Sequence, residues 1–154
     1  MNQTERNLIL ELYSKTSDEI LNTEIILYSN RALIQGREYH TFNYDEKFDS
    51  TNSHTIEYNE RENRKKYFGR ILKFIQVREN QFCLVKRYLQ INKDSFFKKL
   101  SIECAKYIDK FFQIVELTDD SFLVDFLNIK RRCIVMNCEG QMVMSMIDDL
   151  EEMD

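Results

Sequence analysis

Along the chain the spacing of apolar positions changes several times, and each change marks an element. Behind Thr4, a good helix-capping residue, Leu8, Ile9, Leu12 and Tyr13 recur at three- and four-residue spacing and predict a short helix. Its apolar face is narrow, so it needs a surface to dock on, either this domain or a region upstream of it. From Thr23 the texture turns to β-branched and aromatic residues in TEIILYS and RALIQGREYHTFNY, with Gly36 placed where a turn or bulge needs positive φ. DEKFDSTNSH is polar enough for an exposed loop, and TIEYN resumes as a strand with Ile56 and Tyr58 on one face.

The strongest pattern is YFGRILKFIQVRENQFCLVKRYLQI, in which two apolar runs, 67–77 and 82–91, flank the polar connector RENQ. That predicts a hairpin with a four-residue loop. In the second run Phe82, Leu84 and Tyr88 face one way and Cys83, Val85, Leu89 and Ile91 the other, which predicts a strand covered on both sides. Between 94 and 110, Phe97, Leu100, Cys104, Tyr107 and Ile108 fit helical spacing, with Lys98, Lys99, Glu103 and Lys106 left for solvent. FFQIVELTDDSFLVDF then predicts a hairpin around Thr118-Asp119-Asp120, and RRCIVM with QMVMSMI another around Asn137 to Gly140. At least six β-rich runs, with no internal repeat and no linker, predict a mainly β chain: a small antiparallel, partly closed barrel with one or two accessory helices. The expected organisation is a helical extension over 1–22, one barrel-like domain over 23–147 and an acidic tail over 148–154.

Composition changes this picture in a few places. With no Pro and three Gly, the chain lacks the strongest turn markers, so boundaries rest on Asn and Asp clusters. A net charge of −4 argues against a dedicated nucleic-acid binder, although Arg61, Arg64, Lys65, Lys66, Arg70 and Lys73 crowd one stretch. Cys83, Cys104, Cys133 and Cys138 show no C-x-x-C spacing, and His40 and His54 lie far from them, so no metal and no cofactor is expected. The N-terminus lacks a signal-peptide core and no run reaches the roughly 18 apolar residues of a membrane span, so an intracellular protein is expected, nuclear or cytoplasmic. No phosphate loop, HExxH, DxD-like pair or nucleophile–base arrangement is present, and the chain is read as non-enzymatic.

The order YFGRILKFIQV, FCLVKRYLQ, FFQIVELTDDSFLVDFLNIKRRCIVM and closing MVMSMIDDLEEMD resembles the β-barrel domain found near the C-termini of many transposon-derived proteins. That domain is similar in turn to the bromo-adjacent homology (BAH) modules of chromatin proteins. The matching positions are Phe68-Gly69, Ile129, Lys130, Arg131, Arg132, Cys133, Ile134 and Val135, within a span of roughly 28 to 150. The chain departs from the family at Ile147-Asp148, where Pro-Asn is common, and in the helix expected over 94–110, which would be an insertion. The resemblance implies a BAH/SH3-like barrel with a binding role rather than an activity, and a protein or chromatin peptide as partner.

Three surfaces are candidates for contact. Arg64, Lys65, Lys66, Arg70 and Lys73 form a basic strip that suits phosphates, or equally a soluble edge strand; in an extended strand Lys66 and Arg70 share one face, Lys65 and Lys73 the other. Tyr39, Tyr44, Tyr58 and Tyr67, with Phe42 and Phe68, form an aromatic set. The resemblance implies that such rings can cage a methylated lysine, with Asp45 or Glu57 as the acidic neighbour, whereas by themselves they read as core. Lys130-Arg131-Arg132 reads as a solvated shoulder in a connecting turn. The expected function is therefore a non-enzymatic interaction module for protein or chromatin, derived from a mobile-element protein. The alternative is an accessory nucleic-acid-binding domain using 61–73; neither a membrane nor a small-molecule substrate is expected.

Overall fold

A computed structural model describes residues 3–12, 26–48, 53–60, 65–91, 111–138 and 140–145. In chain order these form α1 (Gln3–Leu12), β1 (Ile26–Ser29), β2 (Arg31–Ile34), β3 (Arg37–His40), α2 (Phe42–Phe48), β4 (Thr55–Asn59), β5 (Lys66–Val77), β6 (Asn80–Gln90), β7 (Phe112–Asp125), β8 (Ile129–Cys138) and β9 (Gln141–Ser145), with a 3-10 turn at Phe126–Asn128. The fold is mainly β, as the alternation predicts. The helix expected over 94–110 lies outside the described residues.

The strands β4, β8, β9, β7, β6 and β5 pair in that order, and β5 closes the ring on β4, giving a six-stranded antiparallel barrel. The twelve residues of β5 outrun any single neighbour. On one edge its first half pairs with β4, from Lys66 opposite Asn59 to Arg70 opposite Thr55, and its last four residues pair with β1, while β6 follows it along the other edge. The hairpin β2–β3 is a separate two-stranded ladder. Gln35 and Gly36 both have positive φ, 52° and 79°, the pair of left-handed residues that a two-residue type I′ turn requires.

The structure corrects three local expectations. RENQ is not a four-residue loop: β5 runs to Val77 and β6 starts at Asn80, leaving only Arg78 and Glu79, with Arg78 at φ 56°. Thr118-Asp119-Asp120 is not a hairpin tip but lies inside the continuous fourteen-residue β7. Leu117 pairs with Tyr88 and Ser121 with Lys86, so the three polar residues stand opposite Arg87 alone and bulge outward. Thr118 Oγ1 donates to the Arg87 carbonyl at 2.9 Å and Lys86 Nζ reaches Asp119 at 3.1 Å, which supplies the bulge with partners. Finally, FNYDEKF is helical rather than strand and loop. Thr41 explains it: its hydroxyl accepts from the Tyr44 N–H at 3.3 Å, and its carbonyl takes the Tyr44 and Asp45 N–H groups at 3.1 Å.

Three apolar clusters hold the barrel. The largest joins Ile34 and Tyr39 of the β2–β3 hairpin to Ile56, Tyr58, Ile71, Phe74, Cys83, Val85, Val124 and Ile129. Phe68, Tyr88, Val115, Cys133 and Met144 form a second. In the third, Ile9 of α1 is fully buried against Ile75, Val77 and Leu84, so α1 docks on this domain itself and gains about 2 kcal/mol from that side chain. Gly69 marks the tightest approach: a Cβ there would stand 2.9 Å from Val85 Cβ and 3.2 Å from the Tyr58 ring. Glycine at this barrel position is thus required by space, not by φ.

Candidate functional site

The short strand β1 leaves the most unusual surface. It hydrogen-bonds to β5 along one side and has no second strand partner among the described residues. Its outer residues are apolar and exposed, Leu27 at 56% and Tyr28 at 43%. After Asn30 the chain turns into β2, where Leu33 is 71% exposed. Between them lies a groove of about 400 Å³ lined by Leu27, Tyr28, Ala32, Leu33, Phe74 and Phe126, with Arg31, Gln76 and Gln81 among its polar groups. Leu127, beside Phe126 in the 3-10 turn, is 79% exposed. An apolar groove beside an open strand edge offers main-chain hydrogen bonds and side-chain pockets together.

The basic strip is largely engaged within the molecule. Arg70 stacks over Phe42 at 4.2 Å and donates to the Tyr88 hydroxyl at 3.0 Å. Lys73 sits 4.8 Å from the centre of the Tyr28 ring, and Lys65 5.4 Å from that of Tyr67. Lys66 approaches the buried Glu57 carboxylate at 3.4 Å. Arg64 lies outside the described residues. The strip does not form one phosphate-facing row: Lys66 turns to Glu57 and Arg70 to Phe42 and Tyr88, while Lys65 and Lys73 lie over Tyr67 and Tyr28, and a bulge between Ile71 and Lys73 interrupts the alternation.

The four tyrosines do not gather around one hollow. Tyr39 and Tyr58 are buried in the largest apolar cluster, Tyr67 stacks on Tyr58 at 5.9 Å, and Tyr44 lies on α2 beside His40 and Arg31. Among Tyr58, Tyr67 and Phe122 stands the protein's own Arg87. Its guanidinium lies 3.9 Å from the Tyr67 ring centre and 3.7 Å from Phe122, and donates to the Tyr58 hydroxyl at 3.1 Å and to Glu60 at 2.5 Å. The two acids assigned to a cage are buried and committed elsewhere. Glu57 accepts from Arg131 Nε at 2.6 Å. Asp45 accepts from His40 Nδ1 at 2.8 Å, His54 Nδ1 at 2.7 Å and the Ser53 N–H at 2.9 Å.

That His40–Asp45–His54 cluster is not visible in the spacing of the sequence. β3 supplies His40, α2 supplies Asp45, and His54 leads into β4, so the carboxylate ties three elements together. An ionised Asp45 can only accept, so both imidazoles donate from Nδ1. The arrangement resembles the orienting half of a catalytic relay, yet its immediate geometry is that of a buried hydrogen-bonded network, with His40 Nε2 3.4 Å from Glu38. No group of three or more His, Cys, Asp or Glu suited to a metal occurs among the described residues.

Lys130-Arg131-Arg132 also departs from expectation, since all three lie inside β8 rather than in a connecting turn. Arg131 pairs across the ladder with Glu57, Lys130 is exposed and Arg132 half-buried. No helix among the described residues is long and apolar enough to cross a membrane. Set against known proteins, the chain matches no family model, no curated protein and no solved structure.

Proposed function

We propose that the chain is a non-enzymatic interaction module that takes an extended apolar segment of a partner protein along β1. The observation that carries this reading is the outer edge of β1, which has no strand partner among the described residues, beside a groove walled by Leu27, Tyr28, Leu33 and Phe126. A strand added there satisfies the outward N–H and C=O groups of Ile26–Ser29, and alternate side chains of the incoming segment enter the groove. Single apolar residues at the surface are ordinary, but these converge on one concavity. The fold class is an antiparallel barrel; a BAH-like kinship, a mobile-element origin and a chromatin target rest on the sequence resemblance alone.

Two measurements test the proposal. In the isolated chain, amides along β1 should alternate between slow exchange, where they face β5, and fast exchange at the open edge. Uniform protection would mean that the edge is already filled and the reading is wrong. Peptides selected from a phage-displayed random library should be apolar at alternate positions and should lose binding to a Leu27→Arg, Leu33→Glu variant of unchanged circular dichroism. Equal binding by that variant would also reject it.

A further inference from the structure

A second concavity, separate from the β1 groove, lies where the β2–β3 turn meets the start of β8. It has a volume of about 360 Å³ and is lined by Ile34, Gln35, Arg37, Tyr39, Lys130 and Arg131. Three of the six are cations and none is an acid. Neither Arg37 nor Lys130 is held by an ion pair among the described residues. Arg131 is fixed by the buried Glu57, which also meets the exposed Lys66, so one carboxylate faces two cations. Arg132 adds to the field, since it and Arg37 both act on the Tyr39 phenol, whose ionisation burial nonetheless pushes above the usual range. Tyr39 therefore keeps its O–H as a donor at neutral pH.

We infer that this pocket binds a phosphate monoester, presented as a phosphorylated side chain of a protein. Two rim cations without an ion pair among the described residues, one pre-oriented guanidinium and a phenol supply the charge-assisted donors that a dianion with three acceptor oxygens needs. The surroundings favour a single phosphate over a nucleic-acid backbone. A backbone needs a row of available cations, whereas Arg70, Lys73, Lys66 and Arg87 are engaged internally and the chain carries a net charge of −4. The pocket is local: its cations come from two strands that converge at one turn. The inference stands independently of the β1 groove, because it uses none of that groove's residues.

The test is a titration of the full chain with inorganic phosphate, then with a phosphoserine peptide, at constant physiological ionic strength and read by amide NMR shifts. Saturable shifts at Gln35, Arg37, Tyr39 and Lys130 are expected, with the peptide binding more tightly than its unphosphorylated form. An Arg37→Gln, Lys130→Gln double variant, altered only at exposed positions, should bind at least about tenfold more weakly, and Lys65→Gln should bind as the native chain does. Shifts that do not saturate and spread over all lysines and arginines would overturn the inference, as would a double variant that binds normally. Tighter binding of a single-stranded oligonucleotide than of the phosphopeptide would overturn the protein assignment and favour nucleic acid.

Discussion

A buried carboxylate is stable only when its environment replaces the water it has lost, and Asp45 shows how this chain manages that. Two imidazole N–H groups and one backbone N–H converge on it from three elements. Asp45→Ala would leave His40 and His54 without their acceptor and should lower the unfolding free energy by about 3 kcal/mol, measured by denaturant titration. A loss below about 0.5 kcal/mol would show that the network is not structural. The sequence hid this cluster because His40, Asp45 and His54 carry no motif; only the fold of β2–β3 and α2 brings them together. It hid the groove residues for the opposite reason. Leu27 and Leu33 read as core in any apolar pattern, and nothing in ILYSNRALI marks them as exposed. Gly69 entered the sequence reading only through the family resemblance, and the close approach of Val85, which no spacing announces, is what requires glycine there.

At the level of elements, β7 makes the sharpest claim. If Thr118-Asp119-Asp120 is a bulge, deleting Asp119 and Asp120 leaves Thr118 opposite Arg87, between the existing pairs Leu117–Tyr88 and Ser121–Lys86. The shortened chain should keep the barrel, with a thermal midpoint within a few degrees of the native value. Were the triplet a hairpin tip, the same deletion would remove the turn and the ladder with it. The polar triplet looks like a turn because Asp and Thr favour both turns and bulges, and only the partner strand tells them apart. The β8–β9 hairpin was legible for the contrasting reason that Gly140, at φ 81°, supplies at no steric cost the left-handed backbone that a tight turn needs.

For the whole molecule, burial couples stability to pH and shields the thiols of Cys83 and Cys133. Burial pushes the Tyr39 and Tyr58 phenols above their usual value of about 10, with nearby arginines opposing it. The unfolded chain then releases these protons first as pH rises. Their contribution is complete below pH 10 and is lost as pH climbs through the folded values, so denaturant midpoints should fall on the alkaline side, less steeply in a Tyr39→Phe, Tyr58→Phe variant. Burial also raises the Cys83 thiol well above its ordinary value. In a Cys104→Ser background the half-buried Cys138 should alkylate first, and Cys83 only on unfolding, as followed by mass spectrometry. Early labelling of Cys83 would mean that the barrel opens. By itself the sequence determined the mainly β character, the β5–β6 and β8–β9 hairpins and a barrel-like arrangement, since period-two alternation and turn chemistry are local properties of the chain. Only tertiary structure decided that β5 closes the ring on β4 and that β1 pairs with β5 alone among the described strands. It alone decided which cations stay available in the pocket of Arg37 and Lys130, because pairing between distant strands sets those features and leaves no local pattern.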